Sequence, residues 1–165
     1  MAVSTEARYG AAGIAANERP DVTRALLALR LFLGIVFMVH GSQKMFGAFD
    51  GPGLAATMKM MGPLGLLVAI GEFFGGLGIL VGFLTRFSAA SIMVIMLGAI
   101  FTVHLPNGFF MNWMGKQKGE GVEYHLLVIG MCLALVLAGP GPLALGRMLP
   151  LPRRSGTNQP VAAIE

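Results

Sequence analysis

The stretch PLGLLVAIGEFFGGLGILVGFL, residues 63–84, decides the fold. It holds one charge, Glu72, and matches the ~20 residues that carry a helix across a ~30 Å hydrocarbon core. A soluble core helix has no need of such a run, so the stretch predicts a transmembrane helix. The pattern recurs on both sides. Ala25 to Phe46 is a second apolar run, too long for a signal-peptide core and followed by no small-residue cleavage site. Thr85-Arg86 breaks the chain, Phe87 to Leu105 resumes the apolar pattern, and Pro106-Asn107-Gly108 ends it. A fourth run, Glu123 to Ala138, is short enough to be tilted or to have its first turn at the interface, and Gly139-Pro140-Gly141-Pro142 stops it. The expected fold is therefore all-α: a polytopic four-transmembrane-helix bundle with helices about 25–46, 63–84, 87–105 and 123–138. These lie in a membrane domain, 25–149, between a polar N-terminal tail, 1–24, loosely held or disordered, and a polar C-terminal tail, 150–165.

The connecting segments differ in kind. Asp50-Gly51-Pro52-Gly53 is turn chemistry, and Leu54, Met58 and Met61 then recur at i, i+4 and i+7, which predicts a short helix lying in the membrane interface. Residues 106–122 set Phe109, Phe110 and Trp113 beside Lys116, Lys118 and Glu120, a mixture that suits the headgroup region.

Composition agrees. The chain is 55% hydrophobic with a mean hydropathy of +0.73, and only 12% charged where a soluble domain carries about a quarter. That excludes a soluble enzyme and a disordered chain. The +4 net charge is dispersed, so no nucleic acid is expected as a partner; the lipid bilayer is. One cysteine, Cys132, rules out internal disulfides and Cys-based metal or cluster frameworks. The three histidines lack HxxxH or HxH spacing, so no metal site is expected. No recognisable motif binds haem or flavin, and no intrinsic cofactor is expected.

Orientation follows from the basic residues. Arg8, Arg19, Arg24 and Arg30 lie at the first end, Arg86 lies in the second loop, and Arg147, Arg153 and Arg154 lie at the last end. Lys44, Lys59, Lys116 and Lys118 fall on the opposite side. Positive charge is retained inside, which places both termini in the cytoplasm of a multi-pass protein of the cell membrane, the inner membrane of a bacterium.

This topology gathers polar groups. His40 and Lys44 share a face near the outer end of the first helix, His104 ends the third, and Glu123 and His125 start the fourth. Glu72 is the deepest charge; an exposed carboxylate there costs several kcal/mol, so it must face the bundle, be protonated or meet a cation. Lys44 or His40 is the expected partner. Arg30, the other deep charge, sits in the cytoplasmic half. Each residue has a plainer reading: Glu72 as a structural lock between helices, Lys44 snorkelling to headgroups, His104 and His125 as interfacial polar groups. Glu72, His40 and Lys44 are the candidate catalytic residues. His104, Glu123, His125 and Arg30 are candidates for substrate binding.

These residues resemble the DoxX family of small four-helix membrane proteins. The likeness rests on Arg30, on His40-Gly41 followed by Lys44, on Glu72 followed by Gly75-Gly76 and Gly82, and on Thr85-Arg86. It continues through Asn107-Gly108-Phe109-Phe110, Glu123-Tyr124 and Gly139-Pro140-Gly141, covering about residues 24–147. Where the family often continues with a Ser-Leu-Asp-like segment, this chain has Leu143-Ala144-Leu145. The resemblance implies a membrane partner of redox systems, since name-giving relatives are associated with sulfur-compound oxidation coupled to quinone and others with oxidative-stress complexes. The expected function is a membrane subunit of an oxidoreductase system whose outer-half pocket takes a quinone or a small sulfur-containing or anionic substrate, with protein partners in a membrane complex. The rival is a non-catalytic accessory or assembly subunit of a larger complex. A small transporter is disfavoured because no inverted repeat is detectable.

Overall fold

The computed structural model describes residues 20–148. Helix α1 (Pro20–Phe46) opens on a proline, whose missing N–H costs nothing in a first turn, with Asp21 beside it at the positive end of the helix dipole. It therefore starts ahead of the apolar run, and Pro20–Arg24, expected in the tail, is helical. The rest of both expected tails lies outside the described residues. Phe49 and Asp50, with φ of 51° and 56°, turn the chain into the short α2 (Gly53–Met61). Helix α3 (Leu64–Val81) stops where Gly82 turns left-handed and its N–H bonds back to Gly78 and Ile79. Helix α4 (Thr85–Ala99) runs on through a π turn (Ile100–His104) and a 3₁₀ turn (Leu105–Asn107). Helix α5 (Glu123–Ala138) and the single turn α6 (Leu145–Met148) are the last elements of the described residues.

Among the described residues every regular element is helical. Three continuous helical segments, Pro20–Phe46, Leu64–Val81 and Thr85–Asn107, are long and apolar enough to cross a membrane. Glu123–Ala138 is apolar but shorter; at 16 residues it spans about 24 Å, less than the ~30 Å core. The outside of the bundle is apolar too: Phe32, Phe87, Phe101 and Leu137 are all 70% exposed or more. On a water-soluble protein so much open apolar surface is a liability, whereas lipid covers it without penalty.

The interior is a seam of Leu33, Phe37, Ile79, Ile92, Val128, Cys132 and Leu135. Helices α1 and α3 pack along most of their length, and α4 packs on both α3 and α5. Close approach of α1 and α3 depends on Gly76: a Cβ there would come within 2.6 Å of the Met38 nitrogen and 2.9 Å of the Gly34 carbonyl. Both obstacles are backbone and cannot swing aside, so the small residue sets the interhelical distance.

A candidate polar cavity at one end of the bundle

Two cations of α1, the buried Arg30 and the half-buried Lys44, mark the two ends of the bundle. Arg30 is 2% exposed, and its guanidinium donates four hydrogen bonds to backbone carbonyls. Nε reaches Ile79 O (2.9 Å), Nη2 reaches Leu80 O (2.9 Å), and Nη1 reaches both Pro140 O (3.0 Å) and Leu143 O (2.6 Å). Ile79 and Leu80 belong to the last turn of α3, where carbonyls beyond the helical ladder form the negative end of the helix. Gly82 makes room for the arginine: beyond its φ of 78°, a Cβ would meet Nη2 at 2.6 Å. Arg86 repeats the device, donating to Leu137 O at the end of α5.

Lys44 and Glu72 lie at the other end. Lys44 Nζ donates to Glu72 Oε2 at 2.6 Å, with side chains 25% and 6% exposed. A charge-assisted bond this short, largely out of water, is strong, and each member neutralises the other. The helix α2 covers this end, its fully buried Thr57 donating to Gly53 O.

The ion pair forms part of the wall of a cavity of about 600 Å³ between α1, α3, α4 and α5. His40, His104, His125, Tyr124 and Glu120 also line it. His104 Nδ1 donates to Glu120 O (2.8 Å), which leaves Nε2 as its second ring nitrogen for other partners. The His104 and His125 rings face each other with centroids 4.1 Å apart. His40 lies 6.4 Å from the Tyr124 ring. The Tyr124 hydroxyl is buried without a hydrogen-bond partner. Such an orphan costs free energy in the empty protein, and a ligand acceptor or donor in the cavity would relieve it.

Of the residues singled out from the sequence, the structure brings together Glu72, Lys44, His40, His104 and His125. It does not bring Glu123 or Arg30 to them. Glu123 Oε2 accepts from Met111 N (3.1 Å) and so holds the 106–122 loop. Arg30 lies about 21 Å down α1 with its donors engaged on carbonyls. Two residues with no part in the site expected from the sequence join the cavity. Tyr124 could have been found from its place between Glu123 and His125. Glu120 could not, since it arrives only because the loop folds back, with Glu120 Oε2 accepting from Asn112 N (2.6 Å). Among the described residues no group of three or more His, Cys, Asp or Glu is placed to hold a metal.

The first helices and the loop between them carry a family signature: residues 25–105 match the DoxX family model. This chain belongs to the DoxX family. Three relatives agree in covering most of it. The Bacillus subtilis protein named "Putative oxidoreductase CatD" is 32% identical over 66% of this chain and 76% of its own. The Escherichia coli "Inner membrane protein YqjF" is 32% identical over 75% and 91%. The Mycobacterium tuberculosis "Uncharacterized membrane protein Rv3486" is 28% identical over 76% and 81%. No solved structure matches.

Proposed function

We infer that this DoxX protein is the membrane subunit of an oxidoreductase system, crossing the inner membrane four times with both tails in the cytoplasm. Its outer-half cavity takes a quinone headgroup or a small sulfur-containing or anionic substrate. The observation that carries this reading is the Lys44–Glu72 pair set in the wall of a 600 Å³ cavity beside His40, His104, His125 and Tyr124. Lys44 supplies positive charge to a substrate oxygen. His40 or His104 exchanges protons, since an imidazole can both donate and accept one. Glu72 holds Lys44 in place or carries the proton. Electrons come from a partner subunit or pass directly through the bound substrate. The name of the Bacillus relative is in keeping with redox work.

The accessory-subunit reading asks the glycine-rich faces to pack against other subunits. Those faces are used inside the bundle: Gly34 and Gly76 lie against each other's helices, and Gly71, Gly75 and Gly78 lie against α4. That favours the pocket over the scaffold.

The test is equilibrium binding to the protein in lipid nanodiscs, with decylubiquinone, thiosulfate and sulfite as probes. At least one should bind the wild type, and Lys44→Met should weaken it at least tenfold. Absence of binding by all three sinks the pocket reading. Co-purification from native membranes with cofactor-bearing subunits tests the electron source.

A further inference from the structure

The cavity is not closed around the ion pair, and its opening lies between two particular helices. Gly71 contacts the Ile95 side chain, Gly75 contacts Ile92, and Gly78 contacts Ser88, so α3 and α4 touch closely from mid-helix toward the Arg30 end. The antiparallel register of these contacts puts Leu67 and Leu64 opposite Gly98 and Thr102. There the contact fails. A Cβ on Gly98 would meet nothing within 4 Å. Leu64, Leu67 and Val94 line the cavity and are 64%, 63% and 68% exposed. The Thr102 hydroxyl folds back onto Gly98 O (2.7 Å), so this rim offers no free donor. The slot is thus apolar and continuous with a polar end wall, and it opens on the flank of two membrane-crossing helices.

The geometry points to a lateral doorway: a molecule dissolved in the bilayer enters between α3 and α4 past Gly98, sets a polar head against Lys44, Glu72 and Tyr124, and leaves an apolar tail in the slot. This rests on the reading of the cavity as a ligand site and narrows it to amphiphiles. A small free anion gains nothing from an apolar slot and is too small for 600 Å³. A tailed ligand covers Leu64, Leu67 and Val94 and matches the hydrogen-bonding wall with its head.

Two measurements test the doorway. The first needs no ligand. A nitroxide at Gly98→Cys, in a Cys132→Ala background, is compared with one at Gly130→Cys, an exposed position on α5 that also has open space around it. Collision with oxygen should exceed collision with a water-soluble nickel chelate at both sites. Chelate contact exceeding oxygen contact at Gly98 alone would mean a water-filled mouth and overturn the doorway. The second compares decylubiquinone with its tail-less parent, 2,3-dimethoxy-5-methylbenzoquinone. Gly98→Phe has room to fold and should weaken the tailed probe at least tenfold while leaving the tail-less one within twofold; Gly130→Phe should change neither. Unchanged binding of the tailed probe, or equal loss of both, rejects the doorway. Binding of thiosulfate or sulfite with neither quinone bound rejects the doorway and leaves the proposed function standing; failure of all these probes counts against the proposed function, and the nitroxide result still decides where the cavity opens.

Discussion

The Arg30 end and the Lys44 end of the bundle solve the same problem, a cation in a low-dielectric interior, in opposite ways. Among the described residues Arg30 meets no carboxylate; four carbonyls from α3 and the chain after α5 surround it and take four of its five donors. Lys44 has a single partner, Glu72, and the pair faces open space. A fork of five fixed donors suits a cage of carbonyls, whereas an ammonium is a point charge that can be shared with a third group. One end is built to hold the helices together, and the other keeps polar groups poised around a void.

The sharpest way to break this contrast is at Arg30. Arg30→Met takes a donor from four carbonyls; Ile79 O keeps the Gly82 N–H, while Leu80 O, Pro140 O and Leu143 O lose theirs at about 1–3 kcal/mol each, so the loss should reach roughly 3–9 kcal/mol. Thermal unfolding in detergent should show Arg30→Met as the least stable variant tested. Arg30→Lys should rescue little, since one ammonium cannot reach all four oxygens. A mild effect of either change would end the claim that this end is the structural one.

Next in size is the ion pair. Lys44→Met leaves the buried Glu72 carboxylate unpartnered, costing roughly 3–5 kcal/mol; Glu72→Gln leaves the half-buried Lys44 ammonium unpartnered and should cost less; the double variant should regain part of the loss. Ligand binding should stay lost in the double variant. Strictly additive stability losses would show that the pair is not coupled.

A smaller effect belongs to the seam joining the two ends. Gly76→Leu pushes against the Met38 and Gly34 backbone and should cost about 1–3 kcal/mol, with Gly130→Leu as the neutral control. Equal melting of the two variants would remove Gly76 from its role.

The smallest effect carries the opposite sign. Tyr124→Phe deletes a buried hydroxyl that has no partner, so the empty protein should be unchanged or more stable by about 1 kcal/mol. Binding of a headgroup ligand should weaken about tenfold, the worth of one hydrogen bond. Destabilisation of the empty protein by Tyr124→Phe would place the hydroxyl in the framework instead of the cavity.

The bundle itself is legible in the sequence because lipid imposes one simple requirement, long apolar runs closed by Gly-Pro turns, and residues 63–84 state it openly. The meeting of Lys44 with Glu72 is legible for a related reason: a carboxylate that deep needs a cation at its own depth, and few exist. Arg30 is harder. Its residue type and depth are as suggestive as those of Glu72, but its partners are carbonyls, which every residue carries and which leave no mark in a sequence. Glu123 and Glu120 are confused for another reason. They lie one helical turn apart, on opposite sides of the start of α5, and only the backbone of the loop decides which reaches the cavity. The π turn at Ile100–His104 is likewise silent, since one extra residue in a turn alters no apolar pattern.

The carbonyl cage of Arg30 also sets a clock on assembly. A ribosome making α1 delivers Arg30 toward the membrane well before its partners exist, since Leu143 is 113 residues further along the chain. At about 5–20 residues per second, the guanidinium waits roughly 6–23 seconds for the last of them. Through that interval an arginine that a lone membrane helix bears at a cost of about 2.5–3.5 kcal/mol must stay near the water surface. The first helix of this protein is therefore not finished with its own synthesis: it settles to its final depth only when the last turn of the bundle has been made.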